Sequence, residues 1–113
     1  MKRDGHITMK EIRSIARRIA EKFDVEKIIL FGSYAYGTPT EGSDVDLLII
    51  MNHQKISNRE QRHEIAHLLY PRQFPLDLIV RTPKDIRTRI PQGDWFLKDA
   101  VGLGKVIYDR SAA

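Results

Sequence analysis

Val25-Glu26-Lys27-Ile28-Ile29-Leu30-Phe31-Gly32-Ser33-Tyr34-Ala35-Tyr36-Gly37, followed after a short interval by Ser43-Asp44-Val45-Asp46-Leu47-Leu48-Ile49-Ile50-Met51, is the stretch whose reading decides the fold. Each half is a short apolar run bounded by turn signals, the pattern of a buried strand. The first strand spans Val25 to Phe31 and the second Val45 to Met51. Gly32 and Gly37 bracket a short turn or helix, and proline and glycine mark residues 38–42 as loop. Side chains two apart on a strand point to one face, so Asp44 and Asp46 present their carboxylates side by side. Two such charges repel unless a cation lies between them, and hard oxygen ligands suit magnesium. A glycine-serine turn leaving a strand, as at Gly32-Ser33, exposes backbone amides and a hydroxyl that can cradle phosphate.

Working outward, Leu76 to Val80 reads as a third short strand with Asp77 inside it, flanked by Leu76, Leu78, Ile79 and Val80. An unpaired carboxylate buried in such a strand is costly unless something compensates. If this strand lies beside the second, all three carboxylates can converge on one or two metal ions. A metal site beside a phosphate cradle describes in-line phosphoryl or nucleotidyl transfer. Each residue alone has a plainer reading: Asp44 as a strand-start residue, Asp46 as the partner of a basic side chain, Ser33 as a helix cap. Asp77 is the hardest to explain that way.

Four helices fill the intervals. Thr8 with Glu11 is a capping box, followed by Met9, Ile12, Ile15, Ala16, Ile19 and Phe23 at helical spacing, with Lys10, Arg13, Arg17 and Arg18 outside. Ser57 with Glu60 is a second capping box, opening a helix to about Tyr70. Thr82-Pro83 is a third start, because proline suits the first helical position. A last helix is expected from Asp94 to Val101, ended by Gly102 and Gly104, with Trp95 and Phe96 as core or interface aromatics. Lys105 to Tyr108 closes the chain as a strand. Helices alternating with short apolar strands predict an α+β (α/β-like) fold in two or three layers, a small β-sheet flanked by helices.

The chain has 113 residues, which predicts one domain over 1–113 with no room for a second. Hydrophobic residues make up 42% and charged residues 30%, as in ordinary globular proteins. There is no cysteine, which excludes disulfides and cysteine-based zinc sites. No segment approaches a membrane span, and the charged N-terminus has no apolar run of signal-peptide length, so the expected location is cytoplasmic. The net charge of +4 is spread along the chain and reads first as a solvated surface, with nucleotides or other polyanions as the alternative.

Phe31-Gly32-Ser33, then Asp44-Val45-Asp46-Leu47, then Asp77 in Leu-Asp-Leu-Ile-Val, resembles the DNA polymerase β-type nucleotidyltransferase superfamily and, more closely, its minimal members, the MNT domains. The fuller stretches Gly-Ser-Tyr-Ala-Tyr-Gly and Ser-Asp-Val-Asp-Leu-Leu-Ile strengthen the resemblance, and a weaker similarity reaches the closing Gly-Lys-Val-Ile-Tyr-Asp. The resemblance implies a mixed sheet with helices against it. It implies that Asp44 and Asp46 bind a pair of magnesium ions, with manganese able to replace them. It implies that Asp77 holds the catalytic metal and helps activate the attacking hydroxyl, and that Gly32 and Ser33 contact the triphosphate of ATP. Minimal members resemble the antitoxin half of modules whose toxin is a HEPN-domain ribonuclease, so the implied activity is AMP transfer from ATP to a hydroxyl of that partner. Such a small enzyme is expected to need a partner or self-association, without membrane or nucleic acid. Transfer to a small molecule such as an aminoglycoside, and a non-catalytic binding protein keeping the fold, are the alternatives. One departure stands out: many minimal members carry arginine where this chain has Tyr36, which bears on activity and donor preference.

His63-Glu64-Ile65-Ala66-His67 matches the H-E-x-x-H pattern of zinc proteases. No histidine follows His67, so a third ligand would have to be Asp77, Asp85, Asp94 or Asp99. The helical turn sets both histidines nearly opposite Ile65, Leu68 and Leu69, toward solvent or a partner. His6 and His53 carry no pattern.

Overall fold

Capping chemistry sets where the helices begin. In the computed structural model, which describes residues 7–40, 42–52 and 55–112, Thr8 Oγ1 accepts from Glu11 N–H while Glu11 accepts from Thr8 N–H, opening α1 (Met9–Lys22). Ser57 and Glu60 do the same for α3 (Asn58–Leu68), and Thr82 and Asp85 for α4 (Pro83–Arg89). Asp94 caps α5 (Trp95–Leu103) through Leu97 N–H. The strands are β1 (Val25–Phe31), β2 (Val45–Met51), β3 (Leu76–Arg81) and β4 (Lys105–Asp109), with the four-residue α2 (Ser33–Tyr36) between β1 and β2 and a closing 3-10 turn over Arg110–Ala112. His6 and His53 lie outside the described residues.

The four strands form one mixed sheet in the order β3-β2-β1-β4. β1 runs antiparallel to both β2 and β4, and β2 runs parallel to β3. A parallel neighbour needs a crossover, which α3 supplies. Strand alternation then divides the core. Ile28, Leu30, Leu47, Ile49, Leu78 and Val80 meet the buried isoleucines of α1 and Ile65 of α3 on one face. Ile29, Phe31, Leu48 and Ile50 meet Leu97 and Ala100 of α5 on the other, with Ile86 and Ile90 packed against them. Helices therefore cover both faces, giving three layers.

Several sequence expectations move. α3 stops at Leu68, short of Tyr70, because Leu69 is its C-cap and Tyr70 is exposed. Gly102 lies inside α5 and Gly104 is the cap, packed so closely that a Cβ would meet Leu30 O at 2.9 Å. Trp95 is 71% exposed and so is no core residue, whereas Phe96 packs edge-on against Phe31, ring centroids 5.6 Å apart.

Candidate active site

The chemistry gathers where β1 ends and β2 and β3 begin, on the α5 side of the sheet. The register aligns Phe31 with Asp46, and Asp46 with Asp77. Asp46 and Asp77 are thus neighbours on one face of adjacent parallel strands, with Asp44 just before β2. The helices of that face cover its middle and leave this end open: Asp44 and Asp77 are exposed and Asp46 is half-buried.

Gly32 is fixed by two independent constraints. Its φ of 75° lies in the left-handed region, which favours glycine. A Cβ there would also collide with Asp46 Oδ2 and stand 3.1 Å from Asp46 Cγ. The Asp46 carboxylate consequently lies against bare backbone at the turn where α2 begins. No side chain caps α2, and as its first residue Ser33 has an N–H without an intrahelical acceptor. Gly32 O accepts from Ala35 and Tyr36 N–H, which holds the turn in shape. Tyr34 OH accepts from Ile7 N–H at 3.3 Å and ties this turn to the start of α1. Tyr36 ends α2 half-exposed, so its identity shapes the rim of the site rather than the fold.

The electrostatic burden falls on Asp46. Burial first, then the charges of Asp77 and Asp44, push its pKa up from 3.8 to about 6. This corrects the expectation for Asp77. As a member of a terminal strand it is exposed, so its charge is solvated and the cost assigned to it belongs to Asp46. Convergence is also looser than expected: among the described residues, no three His, Cys, Asp or Glu side chains gather into a group that could by itself hold a metal ion. The donor set nonetheless fits a hard divalent cation. It is all carboxylate oxygen, and a cation would relieve the repulsion that raises the Asp46 pKa.

His63 and His67 are exposed on α3, and none of the four candidate carboxylates joins them in a three-ligand group among the described residues. The sequence reading missed a set of arginines. Arg59 and Arg62 of α3, Arg81 of β3 and Arg89 of α4 line a cleft of about 470 Å³ together with Asp77. Strand parity already placed Arg81 on the Asp77 face, four residues along; only the tertiary fold brings α3 and α4 to the same edge.

The model of the nucleotidyltransferase domain family matches residues 12–101. An inferred protein adenylyltransferase of Methanocaldococcus jannaschii is 36% identical over 102 residues, covering 83% of this chain and 67% of the relative. With other relatives of that organism the match is shorter, and the chain spans about half of their length. Among solved structures, an inferred nucleotidyltransferase from Sulfolobus solfataricus superposes with a TM-score of 0.65 at 20% identity, covering 90% of this chain and 80% of that one. A toxin-antitoxin crystallised with AMP-PNP superposes with a TM-score of 0.56 at 21% identity, covering 88% of this chain and 75% of that one. At these identities the superpositions establish the fold.

Proposed function

This chain belongs to the nucleotidyltransferase domain family, and we propose that it moves AMP from ATP to a hydroxyl of a partner protein, as the antitoxin of a pair whose toxin is of the HEPN type. The observation that carries the reading is the junction of Gly32 with Asp46: a left-handed glycine turn held against a carboxylate whose charge burial, Asp77 and Asp44 disfavour until a cation arrives. A protein acceptor is supported by the protein adenylyltransferase relative of M. jannaschii, and a toxin as that partner by the toxin-antitoxin with the same fold. The unit that acts is a single minimal domain over 1–113, working in the cytoplasm; no described helix is long and apolar enough to cross a membrane.

In this mechanism Gly32 and Ser33 contact the triphosphate, Ser33 through its N–H and Oγ, while the missing Cβ of Gly32 lets the Asp46 carboxylate lie against that turn. Asp44, Asp46 and Asp77 would hold magnesium, two ions in the fullest form, or manganese in its place. When bound, such ions neutralise phosphate charge and lower the pKa of the attacking hydroxyl. A carboxylate oxygen of Asp77, exposed at the open end, takes the hydroxyl proton. The acceptor oxygen bonds to the α-phosphorus, the bond from that phosphorus to the bridging oxygen breaks, and pyrophosphate leaves.

The test is incubation with magnesium and ATP labelled on the α-phosphate, with and without the product of the neighbouring gene. Label should move to that product and should not move with Asp44→Ala/Asp46→Ala. Neutralisation of the partner by that double variant, with no label moved by the wild type, would replace transfer with neutralisation by contact.

A further inference from the structure

The arginine-lined cleft has a geometry of its own. Its floor is Asp77, Leu78, Ile79, Val80 and Arg81, five consecutive residues of β3. A hollow on one face of a sheet would be lined by alternate residues, so consecutive ones mean that it follows the strand's edge. β3 is the terminal strand of the sheet, and among the described residues no strand pairs with its outer side. Arg59 and Arg62 stand over this edge from α3, and Arg89 stands over it from α4.

The charges are poorly answered within the chain. Arg59 and Arg62 are exposed and make no ion pair among the described residues, whereas Arg89 stands 3.9 Å from Asp94 and also acts on Asp85. Arg81 donates from Nη1 to Val80 O at 2.7 Å, while its Nε is buried without a hydrogen-bond partner. The guanidinium of Arg81 is thus only partly answered by acceptors of the fold. Asp77 lies at the other end of the same floor. The site that carries out transfer and the cationic cleft are therefore one continuous surface.

We propose that this cleft seats an extended, acidic segment of the partner protein and so brings the acceptor hydroxyl to Asp77. The inference rests on the transfer reading above. An extended segment fits because the floor is a strand edge, where a second chain can lie alongside. A polypeptide fits better than single-stranded RNA because no aromatic side chain lines the cleft to stack a base. Acidic side chains belong at the Arg81 end, away from the Asp77 charge. At ~3.3 Å per strand residue the two ends lie ~13 Å apart, so the hydroxyl and the nearest acidic side chain should be separated by about four residues.

A fluorescent random copolymer of glutamate and tyrosine is a suitable probe, because it carries both the acid and the hydroxyl. Its binding to the full chain is read by anisotropy. Arg59→Glu/Arg62→Glu should weaken it by at least about tenfold. Lys10→Glu/Arg13→Glu, the same charge change on exposed residues of α1, should weaken it by less than about twofold. Equal weakening by both pairs, no binding by the wild type, or tighter binding of a uridine oligonucleotide that the cleft pair abolishes, would overturn the inference. Labelled transfer separates the two levels. Cleft-dependent binding with no label moved to any acceptor upholds the docking surface and removes the enzymatic reading. Transfer to the partner at the wild-type rate by Arg59→Glu/Arg62→Glu keeps the enzyme and removes the docking surface.

Discussion

The two faces of the sheet are built by the same strands to opposite ends. On the face toward α1 and α3, β2 presents Val45, Leu47 and Ile49, all fully buried. On the other face the same strand presents Asp46, Leu48 and Ile50, and the seal fails at Asp46. One face stabilises the chain, each buried Leu or Ile contributing ~1.5–3 kcal/mol relative to exposure. The other gives up burial at one end to keep a carboxylate in reach of solvent and of the Gly32 turn. Residues adjacent in sequence thus answer to different pressures, and substitutions at neighbouring positions should separate stability from activity.

The largest effect expected is on chemistry. Asp44→Ala/Asp46→Ala should lower labelled transfer by about three orders of magnitude, ~4 kcal/mol in activation free energy, while circular dichroism stays that of the wild type. Retained transfer would merge the two faces into one structural role. Leu47→Ala, one residue from Asp46 but on the sealed face, should cost ~2–5 kcal/mol in denaturant unfolding. A loss well below that would mean the face is less tightly packed than its burial implies. Gly32→Ala touches both sides of the comparison. The left-handed φ and the clash with Asp46 should cost ~1–3 kcal/mol, with transfer lost even at temperatures where the variant remains folded. A variant of normal stability and activity would show that the turn and the carboxylate are not coupled.

Much of this contrast was legible in the sequence. The three capping boxes or cap-proline starts, the two apolar strands and the alternation that sets Asp46 apart from Leu47 are local features, and the structure places them as read. What was not legible depends on strand order. Asp77 sits among aliphatic residues and looked buried; only the terminal position of β3 makes it solvated and moves the cost to Asp46. The same fact hid the cleft, since Arg59, Arg62 and Arg89 come together only when α3 and α4 flank that edge. Of the core and interface readings left open for Trp95, its exposure removes the first, a choice the sequence could not make because an aromatic at a helix start carries no signal of which way the helix faces.

The smallest effect is the most direct test. Asp46 has a folded-state pKa raised from 3.8 to about 6, chiefly by burial and then by Asp77 and Asp44. A raised carboxylate pKa favours the folded state fully below the unfolded value of 3.8, and that advantage is lost as pH climbs through about 6. At neutral pH the ionised group therefore burdens the fold, by ~1 kcal/mol once its partial exposure is allowed for. Asp46→Asn removes the charge and keeps the shape. The measurement is the melting temperature of wild type and Asp46→Asn without added metal, at about pH 7.5 and about pH 4, paired with labelled transfer by both. The account predicts a variant more stable than the wild type at the higher pH, with that gain gone at the lower pH and with transfer abolished. A variant less stable at the higher pH, or one that still transfers AMP, would contradict the claim that the residue straining this fold is the one its chemistry requires.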